Sequence, residues 1–240
     1  MKRLLRVVVV LLLALSAVAA QTPAPKAPVP AQARKPKLVL LIVVDQFRYD
    51  YLMRFRSEYN AGLARLLDRG AVFSDAHFEQ FPTVTAVGHS ITLTGAMPAV
   101  SGIAGNEWYD RELGKQVTSV ADDSTSLLGG GPNLKGSSPR RLLVSTVGDE
   151  LKMASRGRSR VYGISIKDRA AILPAGRMAD GAFWFDAATG NFVSSTFYFP
   201  ELPGWVQEFN SSRTVDQFLG KEWTPAVKTV ESKVFRKLPQ

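Results

Sequence analysis

The sequence contains no cysteine, which excludes disulfide bonds and any thiolate metal site. It holds only two histidines, His77 and His89, so a multi-histidine metal cluster cannot be assembled from this chain alone. No basic run is interleaved with aromatic residues, so the formal net charge of +9 is weak support for nucleic-acid binding, and no nucleic-acid partner is expected. Lys2, Arg3 and Arg6 carry three of those nine charges and precede an apolar stretch at residues 7–15 and the small residues Ala17-Val18-Ala19. This is the pattern of a secretory signal, too short and wrongly flanked for a good transmembrane helix. Residues 1–20 are therefore expected to be removed on export, giving a periplasmic or secreted protein with no stable membrane span. The remaining charge, nine less three, is about six and suits anionic substrates. Residues 21–36, QTPAPKAPVPAQARKP, read as an extended Pro/Ala-rich linker.

Beyond the linker the chain has the organisation of an α/β domain. KLVLLIVV at 37–44 is a continuous apolar run of strand length, as expected for a strand buried on both faces, and it ends in Asp45. From Phe47 to Asp68, the residues Leu52, Phe55, Tyr59, Leu63, Leu66 and Leu67 recur at helical spacing, with Gly70 as a stop. Residues 71–77 read as a second strand, and 85–94 as a helix that ends at Gly95. Ser137-Ser138-Pro139 resembles a helix start, with Leu143, Val147, Leu151 and Ala154 as its buried face. Residues 160–166 read as a third strand, and 181–199 as a hairpin turning at AATGN. The fold class expected is α/β: a mixed, mainly parallel sheet flanked by helices, spanning 37–220 and incomplete at its C-terminus. Residues 221–240 carry no signal for a closing element.

Several residues are placed for chemistry. Asp45 would stand at the carboxyl end of a central strand, where α/β sheets bind ligands, and it suits either a metal or the cap of the next helix. Thr85 would open a helix whose free N–H groups and dipole favour an anion, as a nucleophile or as a capping hydroxyl. Thr83 is an equally good hydroxyl on these grounds. Lys167 and Arg169 follow the third strand two residues apart, placed to clamp two phosphoryl oxygens or to sit solvated at an edge, with Asp168 facing away. His89, one helical turn after Thr85, reads as a site ligand or a packed side chain. His77 reads as structural, and Trp108 and Tyr109 as loop packing or a substrate wall.

Three separated stretches, VVDQFRYDYL, FPTVTAVGHSITLTGAMPAVSGIAGNEWYD and SIKDRAAILPAG, together resemble the alkaline phosphatase superfamily. More narrowly they resemble its type I phosphodiesterase/nucleotide pyrophosphatase branch, and within it the bacterial phosphate-irrepressible alkaline phosphatases with a threonine nucleophile. The resemblance selects Thr85, the threonine of a TxPxH-like segment written TAVGH here, with Val87 in place of the proline. It implies that Asn106 contacts a phosphoryl oxygen, that Asp45 and Thr85 are zinc ligands, and that Lys167 and Arg169 mark a phosphate monoesterase rather than a diesterase. It further implies two zinc ions, small phosphate esters as substrates and a covalent phosphothreonine. The family's other metal ligands are aspartates and histidines, most of them from the second half of a longer chain. No histidine follows His89 here, so this chain is expected to be catalytically poor alone. A phosphodiesterase or nucleotide pyrophosphatase, and a non-catalytic periplasmic anion-binding remnant, are the alternatives.

Overall fold

The computed structural model describes residues 36–132 and 134–222. The chain divides into two compact units, Met1–Val44 and Asp45–Gln240. The signal, nearly all of the linker and most of the 221–240 tail lie outside the described residues. Within the second unit, a five-stranded mixed sheet and its helices form a mixed α/β fold, as the strand and helix periodicities anticipate.

The sheet is built from β3 (Ala121–Leu128), β4 (Lys135–Ser137), β5 (Tyr162–Ser165), β6 (Gly181–Asp186) and β7 (Asn191–Ser195), in the order β4-β3-β7-β6-β5. β5 and β6 run parallel, while β6–β7, β7–β3 and β3–β4 are antiparallel. The sheet is mixed as expected, but among the described residues only the β5–β6 pair is parallel, so it is mainly antiparallel there rather than mainly parallel. A separate two-stranded hairpin, β1 (Glu107–Asp110) with β2 (Lys115–Thr118), was not anticipated from the sequence.

β6 organises both faces of the sheet because alternate side chains of a strand point to opposite sides. Ala182 and Trp184 join a cluster with Ile172 and Leu173 of α6 (Asp168–Ala175) and Ala86 of α3 (Thr85–Thr94). Phe183 faces the other way, into Leu202, Phe199 and Val206 of α7 (Gly204–Ser211). A crossover helix between parallel strands must lie on the sheet, and α6 does so closely. A Cβ on Gly163 of β5 would approach the Ala171 carbonyl carbon to 2.9 Å, so no side chain separates strand from helix there. α3 then packs on the outside of α6.

α5 (Val147–Ala154) starts at a capping box: Asp149 N–H donates to Thr146 Oγ1 at 3.1 Å, and Thr146 N–H to Asp149 Oδ2 at 2.9 Å. The helix therefore begins at Thr146 rather than at the Ser138-Pro139 expected from sequence. Asp149 is 2% exposed and also receives N–H bonds from Arg177 and Met178. Gly176, at φ 86°, makes room for this cage, since a Cβ there would come within 2.5 Å of the Asp149 carboxylate.

The N-terminal expectations need correction. Residues 37–44 form no strand, and Leu38, Leu40 and Ile42 are exposed. An apolar run becomes a buried strand only when neighbours complete its ladder, and no described strand pairs with this one. Residues 71–77 likewise form no strand, and Phe73 is exposed. The long helix expected after Phe47 is broken into α1 (Tyr49–Arg54), a 3-10 turn Arg56–Glu58 and α2 (Gly62–Arg69), with the chain extended at Tyr59. A short α4 (Pro98–Ser101) follows α3.

Gly163→Ala should destabilise the fold by roughly 2 kcal/mol or more, because the added methyl meets backbone that cannot yield; urea unfolding measures it. Asp122 offers a second test. Burial opposes its ionisation, but hydrogen bonds from Ser124, Ser138 and Arg140 outweigh this and bring its carboxyl down to about 2. A depressed folded-state value stabilises above the unfolded value of about 4 and is lost as pH falls towards about 2. Asp122→Asn should therefore flatten the dependence of the urea midpoint on pH across that window.

Candidate active site

The loop before α3 ends at Val84, which has extended backbone (φ −87°, ψ 160°) and is the helix N-cap. Thr85 is thus the first helical residue, and its hydroxyl is not used for capping. Instead Thr85 Oγ1 donates to Asp45 Oδ2 at 3.2 Å. Thr83, by contrast, is exposed and outside the helix. Asp45 does not cap α1 either, since Arg48 is that cap. Its second oxygen accepts from the N–H of Gln46 at 2.9 Å, and Gln46 takes a left-handed conformation (φ 59°) that turns the chain directly after Asp45.

Asn106 reaches the same helix end from the other side. Its Oδ1 accepts the Ala86 N–H at 2.8 Å, one of the donors that a helix N-terminus leaves without an intrahelical partner. With the oxygen so engaged, the Nδ2 amide remains as a donor for an approaching anion. The residue is held in place by its own carbonyl, which accepts from Ser119 N–H at 2.9 Å, and by the β1–β2 hairpin that begins immediately after it. Trp108 of that hairpin packs on the core beneath the Arg141 guanidinium, 5.7 Å from the ring centre, and Arg141 is paired with Asp110 at 3.1 Å. Trp108 is therefore core packing, while Tyr109 is exposed.

Lys167 and Arg169 arrive differently from the sequence expectation. β5 ends at Ser165, Lys167 is the N-cap of α6 and Arg169 is its second residue, so helix geometry rather than strand alternation spaces them. Asp168 turns to the sheet, where its Oδ2 accepts from Ser137 Oγ at 3.4 Å. The N-terminal ends of α3 and α6 both carry polar residues of the expected set, and the two helices are packed together. His89 lies between these groups electrostatically. Burial lowers its pKa most, the Asp45 carboxylate raises it and the Arg169 guanidinium lowers it further, leaving it below the usual histidine value. His77 is exposed and pairs only with Asp75, outside any strand.

Thr85, Asp45 and Asn106 meet at the N-terminus of α3, while Lys167 and Arg169 stand at the N-terminal end of α6. A metal would find few donors here. Asp45 and Thr85 supply two oxygens, and among the described residues no group of three or more His, Asp or Glu side chains converges. Catalytic zinc takes three protein ligands, so the described residues do not hold it unaided.

The sequence profile of the type I phosphodiesterase / nucleotide pyrophosphatase family matches residues 39–239, and the chain belongs to that family. Among individual proteins, it is 47% identical over 191 residues to the alkaline phosphatase PafA of Elizabethkingia meningoseptica, covering 79% of this chain and 35% of that one. It is 47% identical over 190 residues to the alkaline phosphatase PhoV of Synechococcus elongatus, at 79% and 34% coverage. A protein of Myroides odoratus named a calcium-transporting ATPase is 45% identical over 190 residues, at 79% and 35%. The crystal structure of wild-type PafA superposes with a TM-score of 0.74 at 46% identity, covering 78% of this chain and 36% of that one. A PafA variant with a threonine replaced by serine, and an asparagine, a lysine and an arginine replaced by alanine, matches at the same TM-score and coverage with 44% identity. The chain spans about a third of the length of these relatives.

Asn106→Leu should lower stability by about 1 kcal/mol, because it strips the Ala86 N–H of its acceptor. Thr85→Val should change it by less than about 0.5 kcal/mol, since its hydrogen bond is exposed to water. Chemical denaturation of the two variants checks both values.

Proposed function

We propose that these residues are the nucleophile half of a phosphate monoester hydrolase site of the alkaline phosphatase type, in an exported, periplasmic or secreted protein. The observation that carries the reading is the Thr85–Asp45–Asn106 constellation at the N-terminus of α3. The PafA variant supports it. Its four replaced residues, threonine, asparagine, lysine and arginine, recur here in that order as Thr85, Asn106, Lys167 and Arg169, with the last two again two apart.

In this reading Thr85 Oγ1 attacks phosphorus. The new Oγ1–P bond forms as the ester P–O bond breaks, and the alcohol leaves with a proton from solvent. The hydroxyl proton passes towards Asp45 Oδ2, which already accepts it. Asn106 Nδ2, Lys167 and Arg169 hold the equatorial oxygens while charge redistributes. Water then hydrolyses the phosphothreonine and restores the hydroxyl. Divalent zinc, when bound, supplies Lewis acidity at the reacting oxygens. Asp45 and Thr85 would be its donors among the described residues. The substrates are small phosphate esters, and two cations beside the nucleophile favour the doubly charged monoester over a diester. The phosphodiesterase reading draws on the family's name and differs in that preference.

The test is hydrolysis of p-nitrophenyl phosphate and bis-p-nitrophenyl phosphate by the purified chain with added zinc. Little or no turnover is expected from this chain alone, and any zinc-dependent monoester turnover should be lost in Thr85→Ala. Lys167→Ala and Arg169→Ala should each cut the monoester rate about tenfold or more, and the diester rate less. Activity that survives Thr85→Ala removes the nucleophile assignment, and preference for the diester selects the phosphodiesterase.

A further inference from the structure

Two buried polar atoms beside this site lack partners. His89 is 7% exposed, and its Nδ1 is buried without a hydrogen bond. Arg169 has a side chain 21% exposed, and its Nε is also buried without a partner. Its nearest carboxylate, Asp168 Oδ1, stands 3.9 Å from Nη1, beyond hydrogen-bond range. Unpaired buried polar atoms are uncommon in folded proteins and call for an account.

The two atoms are complementary. Arg Nε–H is a donor only, whereas one ring nitrogen of a neutral imidazole is an acceptor. Burial and the Arg169 charge both favour the neutral ring. The carriers are also neighbours in the fold. His89 lies on α3 one turn after Thr85, Arg169 lies in the first turn of α6, and the two helices share a core through Ala86, Ala171 and Ile172. The Arg169 guanidinium acts on the imidazole across that contact.

We propose that His89 is a positioning residue for Arg169: its Nδ1 accepts the Arg169 Nε–H, directly or across one bridging water. This rests on the phosphoryl-site reading above. Guanidinium is planar, so fixing Nε fixes the plane and leaves both terminal nitrogens for a bidentate grip on two phosphoryl oxygens. An Arg169 held only by its flexible stem would have to be ordered by each incoming ligand, and affinity would fall by that ordering cost. His89 touches neither substrate nor nucleophile in this arrangement. It acts through the orientation of Arg169, and its ring must be the Nε2–H tautomer.

The experiment is nitrogen NMR of the purified chain joined to calorimetric binding of inorganic phosphate, on wild type, His89→Gln, His89→Phe, Arg169→Ala and the His89→Phe/Arg169→Ala pair. We expect the Nε2–H tautomer for His89, and an Arg169 Nε–H resonance that moves in His89→Phe. We also expect phosphate binding about five- to tenfold weaker in His89→Phe and partly restored in His89→Gln, whose amide oxygen can accept. The double variant should bind no more weakly than Arg169→Ala alone. An Nδ1–H tautomer, an Arg169 Nε–H signal indifferent to His89→Phe, or additive losses in the double variant would overturn the proposal. Should Arg169→Ala bind phosphate like wild type, the phosphoryl-site reading fails, and the resonance criteria alone decide the His89–Arg169 contact. Because His89→Gln keeps a polar side chain in the slot, a folding failure of His89→Phe leaves the test intact.

Discussion

The packing of α3 on α6 is the contact on which the candidate site depends. Ala86 on one helix and Ala171 and Ile172 on the other are almost completely buried in one cluster. Two of these three residues are alanines, so the backbones approach closely and any added volume would separate them. Thr85 stands in the first turn of α3, and Lys167 and Arg169 at the N-terminal end of α6. In the proposed reading this one apolar interface positions groups that lie far apart in the chain.

The interface is in turn located by constraints on α6. Its N-terminal end follows β5 after a two-residue connection, its middle rests on Gly163, and its C-terminal end leads into the loop held by Asp149. The Asp149 cage ties that loop to the first turn of α5 with three backbone N–H bonds to one buried carboxylate. Charge-assisted bonds of this kind are stronger and more directional than apolar contact. α6 is thereby fixed along its length, and the clamp proposed for Lys167 and Arg169 would lose its grip if displaced by about 1 Å. Asn106 is fixed separately, through the hairpin and the Arg141–Trp108–Asp110 arrangement. Two independent supports converge on the α3 N-terminus.

How much of this was legible in the sequence depended on whether the signal was local. The α3 helix was read with its bounds, because Gly95 in the left-handed conformation is a local stop. The β6–β7 hairpin was likewise visible from alternation and its turn. β3 was not, since ADDSTSLL is polar. It holds its place in the sheet through partners on both sides and through the Asp122 hydrogen bonds, which no pattern of hydrophobicity displays. The capping box at Thr146 was hidden by an apparent start at Ser138-Pro139, and aspartate rather than glutamate at its third position weakened the motif. Asn106 has a signal only in the family resemblance. Position alone marks Asp45, Thr85, Lys167 and Arg169, each with a bland alternative. The structure removes two of these, for neither Thr85 nor Asp45 serves as a helix cap. The unpaired nitrogens of His89 and Arg169 had no sequence signal at all, because satisfaction of a polar atom is a property of packing.

The Thr85–Asp45 bond also bears on the metal. A hydroxyl proton shared with a carboxylate occupies the oxygen lone pair that a cation would use, so proton and cation compete for one place between the same two atoms. With only these two donors the competition favours the proton. Each further carboxylate or imidazole brought to the site would shift it towards the cation, and release of the proton would make the hydroxyl, the proposed nucleophile, more reactive. The groups proposed to bind the anion are different in kind: a backbone hydrogen bond holds Asn106 at the α3 N-terminus, and the packing of α6 carries Lys167 and Arg169. In the proposed reading phosphate recognition and metal activation are therefore separable, the first resting on the α3–α6 interface and the second on further donors.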